Sequence, residues 1–153
     1  MKTAIIYDSV YGNTGKIAEE IARVIGEEAK LIHISQAHKE DIENAELVVL
    51  GTPTHGGRAS EAVQAFMKEL PSDIWSSKKV AVFSTGMPAN SVNFFLRFVI
   101  KIIGYASTPT LSVIVKQGGV AAGAPADFMV KDKQGPLLEG EIEKAGKWAE
   151  SLK

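Results

Sequence analysis

No cysteine occurs in this chain of 153 residues, which excludes disulfides, thiolate metal sites and a cysteine nucleophile. No apolar run approaches the ~20 residues that a membrane-spanning helix requires. The N-terminus lacks the charged, apolar and cleavage regions of a signal peptide, so the expected location is cytoplasmic. Charge of one sign is also missing: 17 basic and 18 acidic side chains leave a net charge of −1. That balance removes the positive field by which proteins hold nucleic acid. His33 and His38 have no partners at metal-ligand spacing, and no Ser-His-Asp arrangement is suggested, so neither a metal nor a catalytic residue is assigned.

What is present is an ordinary globular composition, 45% apolar and 23% charged, in a length that suits one domain over residues 1–153. Apolar strands alternate with amphipathic helices from end to end, which predicts an α/β protein built on a parallel sheet. Strands are expected at Lys2 to Tyr7, Leu31 to Ile34, Leu47 to Gly51, Val80 to Phe83 and Leu111 to Val115. Helices are expected at Thr14 to Ile25, Ser60 to Leu70, Ser91 to Ile103 and Leu138 to Leu152, with a brief turn of helix at Glu40 to Asn44. Lys116 to Gly135 is Gly/Ala-rich in its first half and reads either as a small insertion in the fifth strand or as a surface loop. Within it, Asp127 to Lys131 has the composition of a short returning strand.

The most informative segment is the first strand-to-helix junction. Ala4, Ile5, Ile6 and Tyr7 stop at a polar loop, Asp8 to Asn13, before the helix that begins near Thr14. The unpaired N–H groups of a helix's first turn and its dipole favour an anion there. Ser9, Asn13 and Thr14 add short donors, and Gly12 lets the backbone close around the ligand. The loop holds no arginine, and Lys16 already lies inside the helix. Such a loop suits a phosphomonoester better than a triphosphate. The G-x-x-x-x-G-K-[ST] loop fails here, with Val10 at its first Gly and Ile17 at its Ser/Thr, and G-x-G-x-x-G is absent from this turn.

Ile5, Ile6, Tyr7, Ser9, Gly12, Thr14, Ala18 and Ile21 together resemble the flavodoxin signature, with no departure. That resemblance implies a three-layer α/β/α fold with a five-stranded parallel sheet in the order 2-1-3-4-5. It further implies that Ser9, Val10, Tyr11, Gly12, Asn13 and Thr14 wrap the phosphate of FMN. Flavodoxins cover one ring face with the loop after strand three, which carries that role to Pro53, Thr54, His55, Gly56, Gly57 and Arg58. The loop after strand four, with Thr85, Gly86, Met87 and Asn90, would meet the other face. It lacks the usual Tyr and its acidic neighbours, which leaves Met87 as the candidate contact.

The function implied is an FMN electron carrier that serves redox partner proteins. The alternative is a small FMN oxidoreductase, an NAD(P)H:quinone reductase or a protoporphyrinogen-oxidase-like enzyme with a quinone-like acceptor. The missing acidic surface and the open rim at His55 and Arg58 keep that alternative in view. A flavin-free receiver domain would need an Asp ending strand three, where Gly51-Thr52 stand. On a helical wheel of Ser91 to Ile103, only Asn93, Arg97 and Lys101 are strongly polar, and they form one narrow stripe. A sheet-packed helix needs an apolar arc of only ~100°. The excess calls for a cover, either the loop from Lys116 to Gly135 or a homodimer through 91–103, with membrane-surface association as a further outcome.

Overall fold

The computed structural model describes residues 1–89, 93–95, 97–98 and 104–153. Its strands are β1 (Thr3–Tyr7), β2 (Ala29–His33), β3 (Leu47–Pro53), β4 (Lys79–Gly86), β5 (Val120–Ala121) and β6 (Ala126–Met129). Its helices, numbered over the described residues, are α1 (Asn13–Ile25), α2 (Lys39–Glu43), α3 (Glu61–Glu69), α4 (Ser107–Lys116) and α5 (Glu141–Glu150). Every strand pairs in parallel, in the order β2-β1-β3-β4, and both β5 and β6 lie along the outer edge of β4. Val120 and Ala121 pair with Lys79 and Val80, whereas Ala126 to Met129 pair with Phe83 to Gly86. The two short strands therefore share the fifth position, and the order is 2-1-3-4-5 flanked by helices, as expected.

Strict alternation along the central strands explains why they are apolar throughout. Ala4, Ile6, Val48, Leu50, Val80 and Val82 enter one core with Ile42, Val63, Leu111 and Ile114 from α2, α3 and α4. Ile5, Leu47, Val49, Ala81 and Phe83 enter the other with Ile17, Ala18 and Ile21 of α1 and Ala145 and Ala149 of α5. Helices thus cover both sheet faces, and the loops at the carboxyl ends of β1, β3 and β4 are left to build a site.

Leu111 to Val115, expected as the fifth strand, is instead the heart of α4. Ser107, Thr110, Leu111 and Ile114 are buried at helical spacing, whereas Val113 and Val115 are 46% and 44% exposed. Two buried positions of that face are polar, which hid the helical period behind a run of β-branched residues. The strand itself lies further on, so Ala126 to Met129 account for the returning strand expected from Asp127. The helix expected over 91–103 falls largely outside the described residues. Within it Phe94, Phe95, Arg97 and Phe98 are helical. No helix among the described residues is long and apolar enough to cross a membrane.

Candidate functional site: a cleft at the switch point of the sheet

The connection leaving β1 passes to α1 on one face of the sheet and the one leaving β3 passes to α3 on the other, so the crevice between their carboxyl ends is the natural ligand site. Gly12 caps α1 with φ 92°, a left-handed conformation that a residue with a Cβ resists. That turn lets the chain pass from β1 into α1 with its N–H groups facing outward. Gly15 N donates to Ser9 Oγ at 3.1 Å, and Lys16 N donates to Gly12 O at 3.0 Å. The N–H groups from Val10 to Thr14 have no acceptor among the described residues. Ser9 Oγ accepts from the helix and keeps its own proton for a ligand. A concave run of unused N–H donors at a helix start is an anion cradle, and its donor set fits a phosphate.

Three hydroxyl contacts lock the neighbouring loops to this cradle. Thr14 Oγ1 lies 2.8 Å from Thr85 Oγ1, in a buried contact that joins α1 to the end of β4. Thr54 N donates to Thr85 O at 2.8 Å, and the Thr54 hydroxyl donates to Ser84 Oγ at 3.3 Å. Ala106 N in turn donates to Thr54 Oγ1 at 3.1 Å, which ties the start of α4 to the same loop. Beyond Thr54, His55 and Arg58 exchange backbone hydrogen bonds of 2.8 and 3.1 Å around Gly56 and Gly57. Both glycines have positive φ, 59° and 78°, as a tight two-residue turn of this hand requires.

Between these loops opens a cleft of about 270 Å³. Ser9, Val10, Tyr11, Asn13 and Thr14 line its cradle end, and Pro53, Thr54, His55, Gly56 and Gly57 form one wall. Thr85, Gly86, Met87 and Tyr105 form the other wall, with Gly104, Val130 and Lys133 completing it. Gly12 shapes the cradle from behind, through its backbone angle. The slot between the walls suits a flat ring, so cradle and walls together fit a planar group that ends in a phosphate.

The structure places the remaining expected residues as follows. Arg58 is exposed and lines a separate depression with Asp8, Val10, His55, Ala59, Ser60 and Glu61, outside the lining of the cleft. The turn at Gly56-Gly57 reverses the chain after His55 and carries Arg58 to the outer side. Asn90 lies outside the described residues. Met87 does line the cleft, but the aromatic surface on that wall comes from Tyr105, which sequence reasoning missed. The Tyr105 hydroxyl donates to Met87 O at 2.8 Å, and its ring lies against Gly86, where a Cβ would fall 2.9 Å from two ring carbons. The signal was there in Gly104-Tyr105, but it stands on the far side of 91–103 from the loop it completes. His33 and His38 stay away from the cleft; His33 Nδ1 pairs with Ser35 Oγ at 2.8 Å, edge-on to Tyr7.

Burial, together with the negative charge of Asp127, holds the Tyr105 phenol above its ordinary value. The folded chain therefore favours the protonated phenol. Its contribution to stability is complete below the unfolded value of pH ~10 and is lost as pH rises through the raised one. An ultraviolet titration of phenolate is expected to show a component above pH ~10 that Tyr105→Phe deletes. An alkaline titration that this substitution leaves unchanged would contradict the placement of Tyr105.

Strand order and cleft position define an open doubly wound α/β protein with its ligand site at the switch point. Among solved structures, the fold is similar to a flavodoxin from the domain Archaea, with a TM-score of 0.77 at 17% identity, covering 99% of this chain and 96% of that one. It is also similar to oxidised flavodoxin 1 from Bacillus cereus, with a TM-score of 0.75 at 20% identity, covering 99% and 97% of the two chains. The Flavodoxin domain family model (Flavodoxin_5) matches residues 4–103, and the chain belongs to the flavodoxin family.

Curated relatives include a flavodoxin of Aquifex aeolicus (strain VF5), 36% identical over 78 residues, which are 48% of this chain and 42% of that protein. Flavodoxin 1 of Salmonella typhimurium is 32% identical over 95 residues, 61% of this chain and 54% of its own length. A flavodoxin of Clostridium beijerinckii is 34% identical over 86 residues, 53% of this chain and 62% of its own. The chain spans about half the length of the curated relatives it matches.

Proposed function

We propose that this protein binds FMN in the cleft and carries electrons between redox partner proteins. The observation that carries the proposal is the row of unused N–H donors from Val10 to Thr14 at the end of a flat slot. Ser9, Asn13 and Thr14 would hold the phosphate through hydroxyl, amide and backbone donors. Pro53 to Gly57 would cover one ring face, with Met87 and Tyr105 on the other. FMN supplies one- and two-electron redox chemistry when bound, and the chain's part is to hold it, orient it and limit water at its edge.

Family membership supports the carrier over a quinone reductase or a protoporphyrinogen-oxidase-like enzyme, since the relatives above are all called flavodoxins. Purified protein is expected to be yellow, and NADPH with a soluble quinone is expected to turn over no faster than with FMN alone. Saturating turnover with either nicotinamide nucleotide would move the protein to the enzyme class.

Phe94, Phe95 and Phe98 are 84%, 74% and 55% exposed. Their exposure supports the homodimer through 91–103, and sedimentation that shows a strict monomer at micromolar concentration would count against it.

A further inference from the structure

The first loop of the cradle contains no cation, yet the folded chain brings one to the cleft from more than a hundred residues away. Lys133 is the only lysine or arginine in the cleft lining among the described residues. Its ammonium has no hydrogen bond or ion pair among the described residues, whereas Lys144 and Lys147 on α5 face Glu141 and Glu143 at 3.8 and 3.0 Å. The loop that carries Lys133 is fixed at both ends. Val130 N donates to Gly86 O at 3.0 Å, Lys131 N to Pro136 O at 2.8 Å, and Leu138 N to Met129 O at 2.9 Å. Asp132 Oδ1 accepts from Lys133 N at 2.7 Å and tightens its tip.

The loop also presses on the cradle itself. At Gly135, where φ is +101°, a Cβ would lie 2.6 Å from Asn13 Oδ1 and 2.8 Å from its Nδ2, so only a glycine lets the loop approach the first residue of α1. Lys133 stands two residues before that contact and lines the same cleft as Asn13 and Thr14.

We infer that Lys133 serves as the counter-cation of the ligand's phosphate and adds to the preference that the N–H donors give for a phosphorylated over an unphosphorylated flavin. The inference rests on the FMN reading given above. An exposed ammonium in the cleft lining adds attraction for a dianion without a bond to the ring, so its effect belongs to the phosphate alone and is screened by salt.

The experiment compares wild type, Lys133→Met and Lys133→Arg, each as the full chain freed of ligand, titrated with FMN and with riboflavin at low and high ionic strength. Lys133→Met is expected to weaken FMN about three- to thirty-fold, after allowance for the exposure of the ammonium. Riboflavin affinity is expected to stay the same, the salt dependence of FMN binding to flatten, and Lys133→Arg to keep most of the affinity. Equal losses for FMN and riboflavin would place Lys133 at the ring and overturn the inference, as would unchanged FMN binding in Lys133→Met. In both cases tight FMN binding by wild type would leave the FMN reading standing. Failure of wild type to bind FMN would overturn the two together.

Discussion

Phe83→Ala is expected to destabilise the protein by about 3–5 kcal/mol, measured as a lower urea midpoint with an unchanged slope. Phe83 is fully buried in the core beneath α1 and α5. Its ring meets Phe128 edge-on at 6.0 Å and Trp148 at 6.1 Å, which joins β4 to β6 and α5. It also lies across β3 at Gly51, where a Cβ would come within 2.2 Å of the Phe83 ring. Gly51→Ala alone should therefore overpack the site at a cost of about 1–3 kcal/mol. In the Phe83→Ala background the same methyl enters the vacated space, so the pair should be less destabilised than the sum of the single changes. Strict additivity would show that Phe83 and Gly51 do not share this contact.

Thr14→Val is expected to weaken FMN binding by about ten- to a hundred-fold, or ~1.5–3 kcal/mol, the range for a hydrogen bond to a charged acceptor. Thr14 is 2% exposed, and valine matches its shape, so the change removes a hydroxyl with little repacking. Its oxygen lies 2.8 Å from the Thr85 hydroxyl, so one of the two protons is used within the pair and the other is available to the ligand. The loss should include a stability decrease of about 1 kcal/mol, because Thr85 Oγ1 keeps no partner from α1. Riboflavin affinity should hardly change, and Thr14→Ser should restore FMN affinity. An equal loss for both flavins would mean that Thr14 acts through the shape of the cleft rather than on the phosphate.

The cradle was legible because its information is local. Tyr7 to Thr14 form one strand end, one loop and one helix start, and each residue's role there follows from backbone geometry and short side chains. The central strands were legible for a related reason: Leu47 to Leu50 and Val80 to Phe83 are apolar on both faces, which few other environments permit. What was lost in reading is non-local or masked by polar burial. The inner face of α4 carries Ser107 and Thr110 beside the apolar Leu111 and Ile114, and Ser107 Oγ donates to Asp127 Oδ1 at 2.5 Å, so half of its period is polar and hidden from a reading of apolar residues. Tyr105 and Lys133 reach the cleft only through the crossover after β4 and the loop after β6, and no spacing in the sequence encodes that convergence. Arg58 follows the reversal at Gly56-Gly57 and lies outside the cleft lining, which proximity along the chain to His55 does not reveal.

The central claim is that the row of N–H donors between β1 and α1 holds a flavin phosphate. Calorimetric titration of the ligand-free chain with FMN, and in parallel with riboflavin, tests it most directly. The account predicts one FMN per chain, with riboflavin bound at least ten-fold more weakly, since several charge-assisted hydrogen bonds of ~1.5–3 kcal/mol each are lost with the phosphate. Absence of FMN binding, or equal affinity for the two flavins, would contradict it.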